Sequence, residues 1–327
     1  MCSSDLRPTV SVRAATGARH VRRVTRSDHR QMFRGDNGRW CLSWRLFRRH
    51  DTAHRSPIPR ESKMPIVVSV VQQKGGVGKT TLATSLFAHL VSEKYSAGII
   101  DLDPQGNASG WAIAPAGFQS IKQHCGAEAF TLPHGDIAKA YSRGIKPGDE
   151  VHNHVLPCVK LGGGFVVPAN QYMAVHNFTD FYTEALPFDV AIVDTPPHLA
   201  TTFFRAVVSQ SHAVVAPVQP EPYAVQNVAD LLRQMEVGGN HLLDNETLRL
   251  VVTMRQKCTN HEAHEKHLRK HWGRYVSPVV IPRATAWSEA GAFGVPWNPK
   301  SAVAKTTKTL WADIEKAMWK ANKKGAA

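Results

Sequence analysis

The stretch QQKGGVGKTT, residues 72–81, decides the fold of this chain. An apolar run at residues 65–71 precedes it, and a helical pattern at residues 80–92 follows it. A glycine-rich turn between a strand and a helix lets backbone N–H groups converge on an anion, and a lysine adds a positive charge beside them. The stretch therefore predicts a phosphate-binding loop at the carboxyl end of a buried strand.

The residue types of this loop suit a nucleoside triphosphate bound with Mg²⁺. Lys79 supplies a charge for the phosphates, and the Thr80 hydroxyl is placed to ligate the metal. The predicted nucleotide contacts are seven consecutive residues: Gly75, Gly76, Val77, Gly78, Lys79, Thr80 and Thr81. The usual pattern, G-x-x-x-x-G-K-[ST], expects a glycine where this chain has Gln73, and a second lysine, Lys74, follows.

The form K-G-G-x-G-K-T resembles the deviant Walker A motif of the ParA/MinD family of P-loop ATPases. The resemblance implies an ATPase that uses ATP and Mg²⁺. In that family the signature lysine, here Lys74, reaches across a nucleotide-sandwich dimer to the phosphates of the partner subunit. We therefore expect Lys74 to join Lys79 in catalysis and to make ATP binding and dimerisation one event.

Two aspartates at predicted strand ends complete the candidate site. Asp103 lies in DLDPQGNAS, residues 101–109, where a carboxylate can position the water that attacks the γ-phosphate. Asp194 lies in AIVDTPP, residues 191–197, and can hold a Mg²⁺-bound water. Both strings resemble the Walker A′ and Walker B motifs of the same family, and the Pro-Gln-Gly-Asn continuation after Asp103 favours a partition-type protein over a MinD-like one.

The resemblance continues from residue 64 to residue 311. It places the rim of the adenine pocket in PVQPEP, residues 217–222, and the predicted base contacts are Pro217, Gln219 and Pro220. The string IPRATAWSEA, residues 281–290, matches the C-terminal I-P-R pattern of the family. Trp287 and the pair Trp297-Asn298 depart from the usual residues there.

Short β-rich runs alternate with helical patterns after residue 64, which indicates stacked βαβ units. We predict an α/β fold, a doubly wound and mostly parallel sheet flanked by helices. The predicted strands are residues 66–71, 97–102, 164–167, 190–193, 213–217, 248–254 and 279–281. The predicted helices are residues 80–92, 224–235, 261–272 and 302–321.

Most of the net charge of +14 lies at the start of the chain. Residues 1–63 contain fourteen arginines and one lysine against five acidic residues, with no sustained periodicity. A basic arm for nucleic acid and an organelle transit peptide are possible interpretations. We favour a disordered or artefactual extension, because Met64 lies where ParA-like proteins usually begin, and we assign residues 64–327 to the ATPase domain.

Three functions compete for this domain. The first is a ParA-like partition ATPase, a homodimer when ATP-bound, which binds DNA without sequence preference and is stimulated by a ParB-like partner. It would be cytoplasmic and associated with the nucleoid. Its basic residues would come from region 255–308, and our DNA-contact candidates are Arg283 and Lys305.

The second function is a MinD-like membrane-cycling regulator. The last helical pattern has four apolar residues on one side and lysines nearby, as an amphipathic anchor would. A terminal helix packed on the sheet has the same pattern, so we do not expect membrane binding. The four apolar residues are Leu310, Trp311, Ile314 and Met318.

The third function is an ATP-driven reductase similar to the nitrogenase iron protein. Such a protein holds an iron–sulfur cluster between its subunits with two cysteines from each. Cys125, Cys158 and Cys258 do not fall in the corresponding motifs, and the chain has no C-x-x-C pair. This function is the least supported of the three.

Overall fold

The structure is a computed structural model that describes residues 33–34, 40–41, 65–113, 156–158, 160–167, 186, 188–197, 201–292 and 297–325. The chain divides into two units, Met1–Ala53 and His54–Ala327. In the first unit the strands β1 (Phe33–Arg34) and β2 (Trp40–Cys41) pair antiparallel. The rest of our prediction for residues 1–63, and the boundary at Met64, lie outside the described residues.

The second unit is built around an eight-stranded sheet. Its strands are β3 (Ile66–Val70), β4 (Ala97–Asp101), β5 (Leu156–Pro157), β6 (Phe165–Val167), β7 (Val190–Asp194), β8 (Ala213–Val218), β9 (Leu248–Arg255) and β10 (Val276–Pro282). The order across the sheet is β10-β9-β8-β3-β7-β4-β6-β5. All pairs are parallel except β5 with β6, which is antiparallel at the edge.

Helices cover both faces of this sheet. They are α1 (Lys79–Ser92), α2 (Asn107–Ile113), α3 (Thr201–Gln210), α4 (Ala224–Met235), α5 (Asn240–Asp244), α6 (Thr259–Trp272), α7 (Thr285–Ala290) and α8 (Ala302–Gly325). One apolar core joins the sheet to α3, α4 and α6, and the other joins it to α1, α2 and α8. Strands buried between two helix layers read as continuous apolar runs, and all five residues of β3, β4 and β7 are buried.

The predicted fold class is confirmed: the sheet is doubly wound and mostly parallel. Each of the seven predicted strands is present with ends shifted by at most three residues. The largest shift is at β10, which begins at Val276 because that residue already pairs with Leu250 of β9. The four predicted helices are present, and α2, α3, α5 and α7 were missed because they are short or lack a clear apolar period.

The topology brings three chemical motifs to one edge of the sheet. Strand β7 lies between β3 and β4, and all three are parallel. Asp194, at the end of β7, is in register with Val70 of β3 and with Asp101 of β4. In such sheets ligands bind beyond the carboxyl ends of the strands, so this edge is the candidate site.

Candidate nucleotide-binding site

The phosphate loop connects β3 to α1 with a backbone that only glycine adopts readily. Gly76 has φ of 72° and Gly78 has φ of 90°, in the left-handed region. A side chain placed at Gly75 or Gly76 would meet no protein atom within 4 Å, so both residues face open space. The loop therefore leaves room beside its backbone, as a phosphate cradle must. The assignment of Gly75–Thr81 to nucleotide contacts stays a prediction.

Lys79 is the first residue of α1 and its side chain is buried. Its ammonium donates a hydrogen bond to the Lys74 carbonyl at 3.0 Å, which folds the loop over the lysine. Burial lowers the pKa of Lys79, and the nearby carboxylates of Asp194 and Asp103 oppose that shift. The predicted cation and both predicted carboxylates therefore lie within electrostatic reach of one another.

Asp194 has the environment expected of a residue that helps to hold a metal ion. It is fully buried, and neither carboxylate oxygen accepts a well-formed hydrogen bond from the described residues. Burial raises the pKa of Asp194 well above its usual value, and the nearby Asp101 raises it further, whereas the Thr80 hydroxyl and Lys79 favour the ionised form. A buried carboxylate without enough donors is a strong candidate to face a cation.

These surroundings fit Mg²⁺ bound together with a nucleotide. The described residues contain no cluster of three or more His, Cys, Asp or Glu side chains that would form an all-protein metal cage. Mg²⁺ usually keeps several waters and is held by one or two protein oxygens together with substrate phosphates. The Thr80 hydroxyl and the Asp194 carboxylate are the predicted protein oxygens, and their proximity agrees with that arrangement.

Asp103 lies just beyond β4 and is buried. Its carboxylate accepts a hydrogen bond from the backbone N–H of Gln105 at 2.9 Å, which orients it in the turn before α2. Asp101 stabilises the same turn, and this residue was not identified from the sequence. Asp101 accepts bonds from the N–H of Asp103 at 3.1 Å and from both the N–H and the hydroxyl of Ser109 at 2.7 Å each.

Asp101 is fully buried, and burial raises its pKa to about 6 even though Ser109 stabilises the ionised form. The D-x-D spacing of Asp101 and Asp103 could have identified Asp101, because two aspartates so close to one strand end lie in the same turn. Thr253 was also missed: its buried hydroxyl donates to the Val77 carbonyl at 3.0 Å and anchors the phosphate loop to β9. No short-range pattern links Thr253 to Val77.

The predicted adenine rim meets the phosphate loop directly. The Gln72 side chain donates to the Pro217 carbonyl at 3.3 Å, and Gln219 accepts a hydrogen bond from the Lys74 ammonium at 3.0 Å. Pro220 is buried beside it. The base contacts assigned to Pro217, Gln219 and Pro220 stay predictions, but in this structure the Gln219 side chain is engaged with the loop.

Lys74 itself is held within its own chain. Its ammonium forms an ion pair with the Glu221 carboxylate in addition to the bond with Gln219. Glu221 was not singled out from the sequence, because its partner lies 147 residues away. The trans role of Lys74 stays a prediction, and the structure shows where this side chain rests in a single chain.

The two DNA-contact candidates lie on different elements. Arg283 is exposed just after β10, and its backbone N–H donates to the Arg255 carbonyl at 2.9 Å. Lys305 is exposed in the first turn of α8. The four apolar residues considered for a membrane anchor are all buried in the core: Leu310, Trp311, Ile314 and Met318. None of the described helices is long and apolar enough to cross a bilayer.

The cysteines within the described residues show no cluster-binding arrangement. Cys158 is buried, and burial raises the pKa of its thiol to about 12. Cys258 is exposed at the start of α6, and Cys125 lies outside the described residues.

Comparison with known proteins identifies the domain. Residues 68–297 match the family described as the CobQ/CobB/MinD/ParA nucleotide binding domain. The chromosome-partitioning ATPase Soj of Thermus thermophilus is 34% identical over 237 residues, which cover 69% of this chain and 85% of that protein. The residues matched by the family span all three motifs of the candidate site, at 72–81, 101–109 and 191–197.

Solved structures share the fold at lower identity. A plasmid partition protein of Borrelia burgdorferi, bound to AMPPNP, superposes with a TM-score of 0.54 at 18% identity, covering 77% of this chain and 99% of that one. A cobyrinic acid a,c-diamide synthase of Mycobacterium smegmatis, with ADP and magnesium bound, gives a TM-score of 0.52 at 21% identity, covering 79% and 96%. The similarity extends over nearly the whole length of each of these two solved structures.

Proposed function

The chain belongs to the CobQ/CobB/MinD/ParA family of nucleotide-binding proteins, and from that premise we propose that this ATPase partitions DNA. The observation that carries the proposal is the meeting of Lys79, Asp103 and Asp194 beyond three adjacent parallel strands. Its sequence likeness to a chromosome-partitioning ATPase supports partition over the other activities of the family.

The residues of this chain divide the work of ATP hydrolysis between binding and orientation. The phosphate loop and Lys79 bind the phosphates; Thr80 and Asp194 would hold Mg²⁺, which would neutralise phosphate charge. Asp103, fixed by the Gln105 N–H and by Asp101, orients the attacking water. Phosphoryl transfer needs mainly such positioning and charge stabilisation, so no covalent step on the protein is required.

Dimerisation through the nucleotide is the second part of the proposal. The Lys74 side chain is 39% exposed and its ammonium is held only by the partly exposed Glu221 and by Gln219 among the described residues, so a second subunit could compete for it. Lys79 is already buried against the loop, and a second lysine five residues earlier has no evident task in the same pocket. We assign Lys74 to the phosphates of the partner subunit, with hydrolysis releasing the pair.

We propose DNA as the surface that the protein binds, and a ParB-like protein as the partner that stimulates ATP hydrolysis. The ATP-bound dimer would bind duplex DNA without sequence preference, which places the protein at the nucleoid in the cytoplasm. The burial of the apolar face of α8 argues against the alternative of a MinD-like membrane anchor, because that face contacts the sheet.

The test is a direct comparison of two surfaces. Purified protein is mixed with ATP and Mg²⁺ and offered either random-sequence duplex DNA or vesicles with anionic lipids, and binding is measured for each. We expect binding to DNA that requires ATP and is lost in Lys79→Ala. Binding to the vesicles but not to DNA would overturn the partition proposal in favour of the membrane-cycling alternative.

A further inference from the structure

The solvent face of α8 is basic along its whole described length. Five lysines on this helix are exposed: Lys305, Lys308, Lys316, Lys320 and Lys323. At 100° per residue they fall within an arc of roughly 120°, opposite the buried residues. Thr309 and Ala312 are the small residues between them, and both are exposed.

Acidic side chains are turned away from this face. Asp313 pairs with Arg249 and accepts a hydrogen bond from Ser277, and both contacts lie toward β9 and β10. Glu315 is partly buried and accepts a bond from the Tyr95 hydroxyl at 3.3 Å. Among the described residues, Lys308 is the one lysine of the five in an ion pair, with Glu93. An ordinary solvated helix mixes both signs of charge, whereas the exposed charged side chains of α8 itself are all lysines within its described length.

An aromatic side chain lies among these lysines. Trp319 is 50% exposed, although most large apolar residues of the described chain are buried. The Lys323 ammonium lies 4.0 Å from the centre of its ring, so the tryptophan and the lysine form one surface. The opposite side of α8 packs in the core. Within the described residues, the side with the lysines and Trp319 is not part of that core.

We infer that the α8 basic face, defined as Lys305, Lys316, Trp319, Lys320 and Lys323, is the surface that binds the phosphate backbone of duplex nucleic acid. The inference deepens the proposed function and rests on it. From Lys305 to Lys323 the helix rises roughly 27 Å, which is about eight base pairs of duplex. Lysines act on phosphates as point charges and read no sequence, which suits binding without sequence preference.

The α8 face departs from the region that the sequence favoured. Region 255–308 contains basic residues on and near α6, but two of its arginines are paired with acids of that helix. Arg255, at the end of β9, pairs with both Glu262 and Glu265, and Arg269 pairs with Glu265. Neutralised pairs attract phosphates weakly. The α8 face has Lys305 in common with that region, but it continues beyond the region to Lys323.

Two triple variants separate the surfaces at equal change of charge. The first replaces three lysines of the α8 face by glutamine: Lys316→Gln, Lys320→Gln and Lys323→Gln. The second replaces three exposed lysines before and on α6: Lys257→Gln, Lys266→Gln and Lys270→Gln. Circular dichroism and melting temperature establish that both variants fold, and affinity for a random-sequence duplex with ATP is measured from 50 to 300 mM salt.

We expect the α8 variant to lose at least tenfold in affinity, and the slope of log affinity against log salt to fall by about two to three, since each phosphate contact contributes about 0.9. The α6 variant should lose less than threefold. Equal losses in both variants, or a larger loss in the α6 variant, would overturn the assignment to α8. If the wild-type chain binds no duplex in any nucleotide state, the proposed function fails, and the assignment to α8 fails with it.

Discussion

The ammonium of Lys74 is paired with the carboxylate of Glu221 in the same chain, and it donates a second bond to Gln219 at 3.0 Å. Both members of the pair are partly exposed, at 39% and 45%. An ion pair at such a site contributes about 0.2–1 kcal/mol. The pair is therefore weak enough to break when a phosphate of a second subunit approaches Lys74. It still opposes that approach slightly, because the pair must be lost first.

Glu221→Gln should favour the nucleotide-dependent dimer. Without the carboxylate, Lys74 has no charged partner among the described residues and is free to reach a second subunit. We expect a twofold to fivefold shift of the monomer–dimer equilibrium for each subunit, from the energy of an exposed pair. Sedimentation velocity with ATP measures it, and Asp230→Asn, on the exposed pair with Arg233, controls for the loss of one negative charge. Identical dimerisation of Glu221→Gln and wild type would show that the pair imposes no restraint.

Lys79→Ala should abolish nucleotide binding, because the phosphates lose the buried cation at the start of α1. We expect a loss of at least 100-fold in ATP affinity by binding titration. Lys74→Ala is the matched control, since it removes the same charge from the same loop. It should keep ATP affinity and remain monomeric in sedimentation. Retained ATP affinity in Lys79→Ala would contradict the phosphate-loop assignment.

Asp103→Ala should bind ATP and dimerise but hydrolyse ATP slowly. Removal of a positioned carboxylate typically lowers turnover by about 100-fold or more, with little effect on ground-state affinity. Steady-state phosphate release measures turnover, and ATP titration measures affinity. Gln105→Ala is a control in the same turn, because it keeps the backbone N–H that bonds Asp103 and changes only an exposed side chain. Wild-type turnover in Asp103→Ala would exclude it as the water-positioning residue.

The sequence predicted the parts of the site that are encoded locally. The phosphate loop, β3 and α1 form one continuous stretch, and β4 and β7 each end in an aspartate after an apolar run. Periodicity and turn chemistry act over a few residues, so such features can be read directly. Asp103 and Asp194 were singled out for this reason, and both carboxylates lie within electrostatic reach of Lys79.

The parts that were missed depend on contacts between distant segments. Glu221 is 147 residues from Lys74, and Thr253 is 176 residues from Val77. Their residue types are ordinary for a strand end and a loop, and only the sheet order brings them to the site. The α8 basic face was obscured for a different reason: its lysines were visible, but which side of the helix was buried was not.

Gly98→Ala should destabilise the fold by overpacking. A Cβ at Gly98 in β4 would lie 2.5 Å from the ring of Phe188, which is buried and stacked on Phe165. Forcing an extra methyl group into a packed core typically costs about 1–3 kcal/mol. Chemical denaturation measures the free energy of unfolding. Gly163→Ala is the control, because its Cβ would meet Val91 at an ordinary 3.4 Å. Equal stability of the two variants would show that Phe188 moves aside without cost.

Lys160 should make the free energy of unfolding rise with pH in the alkaline range. Its ammonium is partly buried between the Trp111 ring, 4.1 Å away, and the Ala292 carbonyl, to which it donates at 2.9 Å. Burial lowers its pKa from 10.5 to about 8. Below pH 8 the lysine is charged in both the folded and the unfolded chain, and the cost of burying the charge is fully present.

Between about pH 8 and pH 10.5 the folded chain releases this proton while the unfolded chain still holds it. The unfolded state then binds more protons, so the free energy of unfolding rises with pH. Lys160→Met removes the titrating group and keeps the apolar stem over Trp111. We expect the melting temperature of wild type, minus that of Lys160→Met, to increase from pH 7.5 to pH 9.5. Lys266→Met, on the exposed side of α6, corrects for the loss of one positive charge. A difference that stays constant or decreases over this range would mean that Lys160 is not held in a desolvated position.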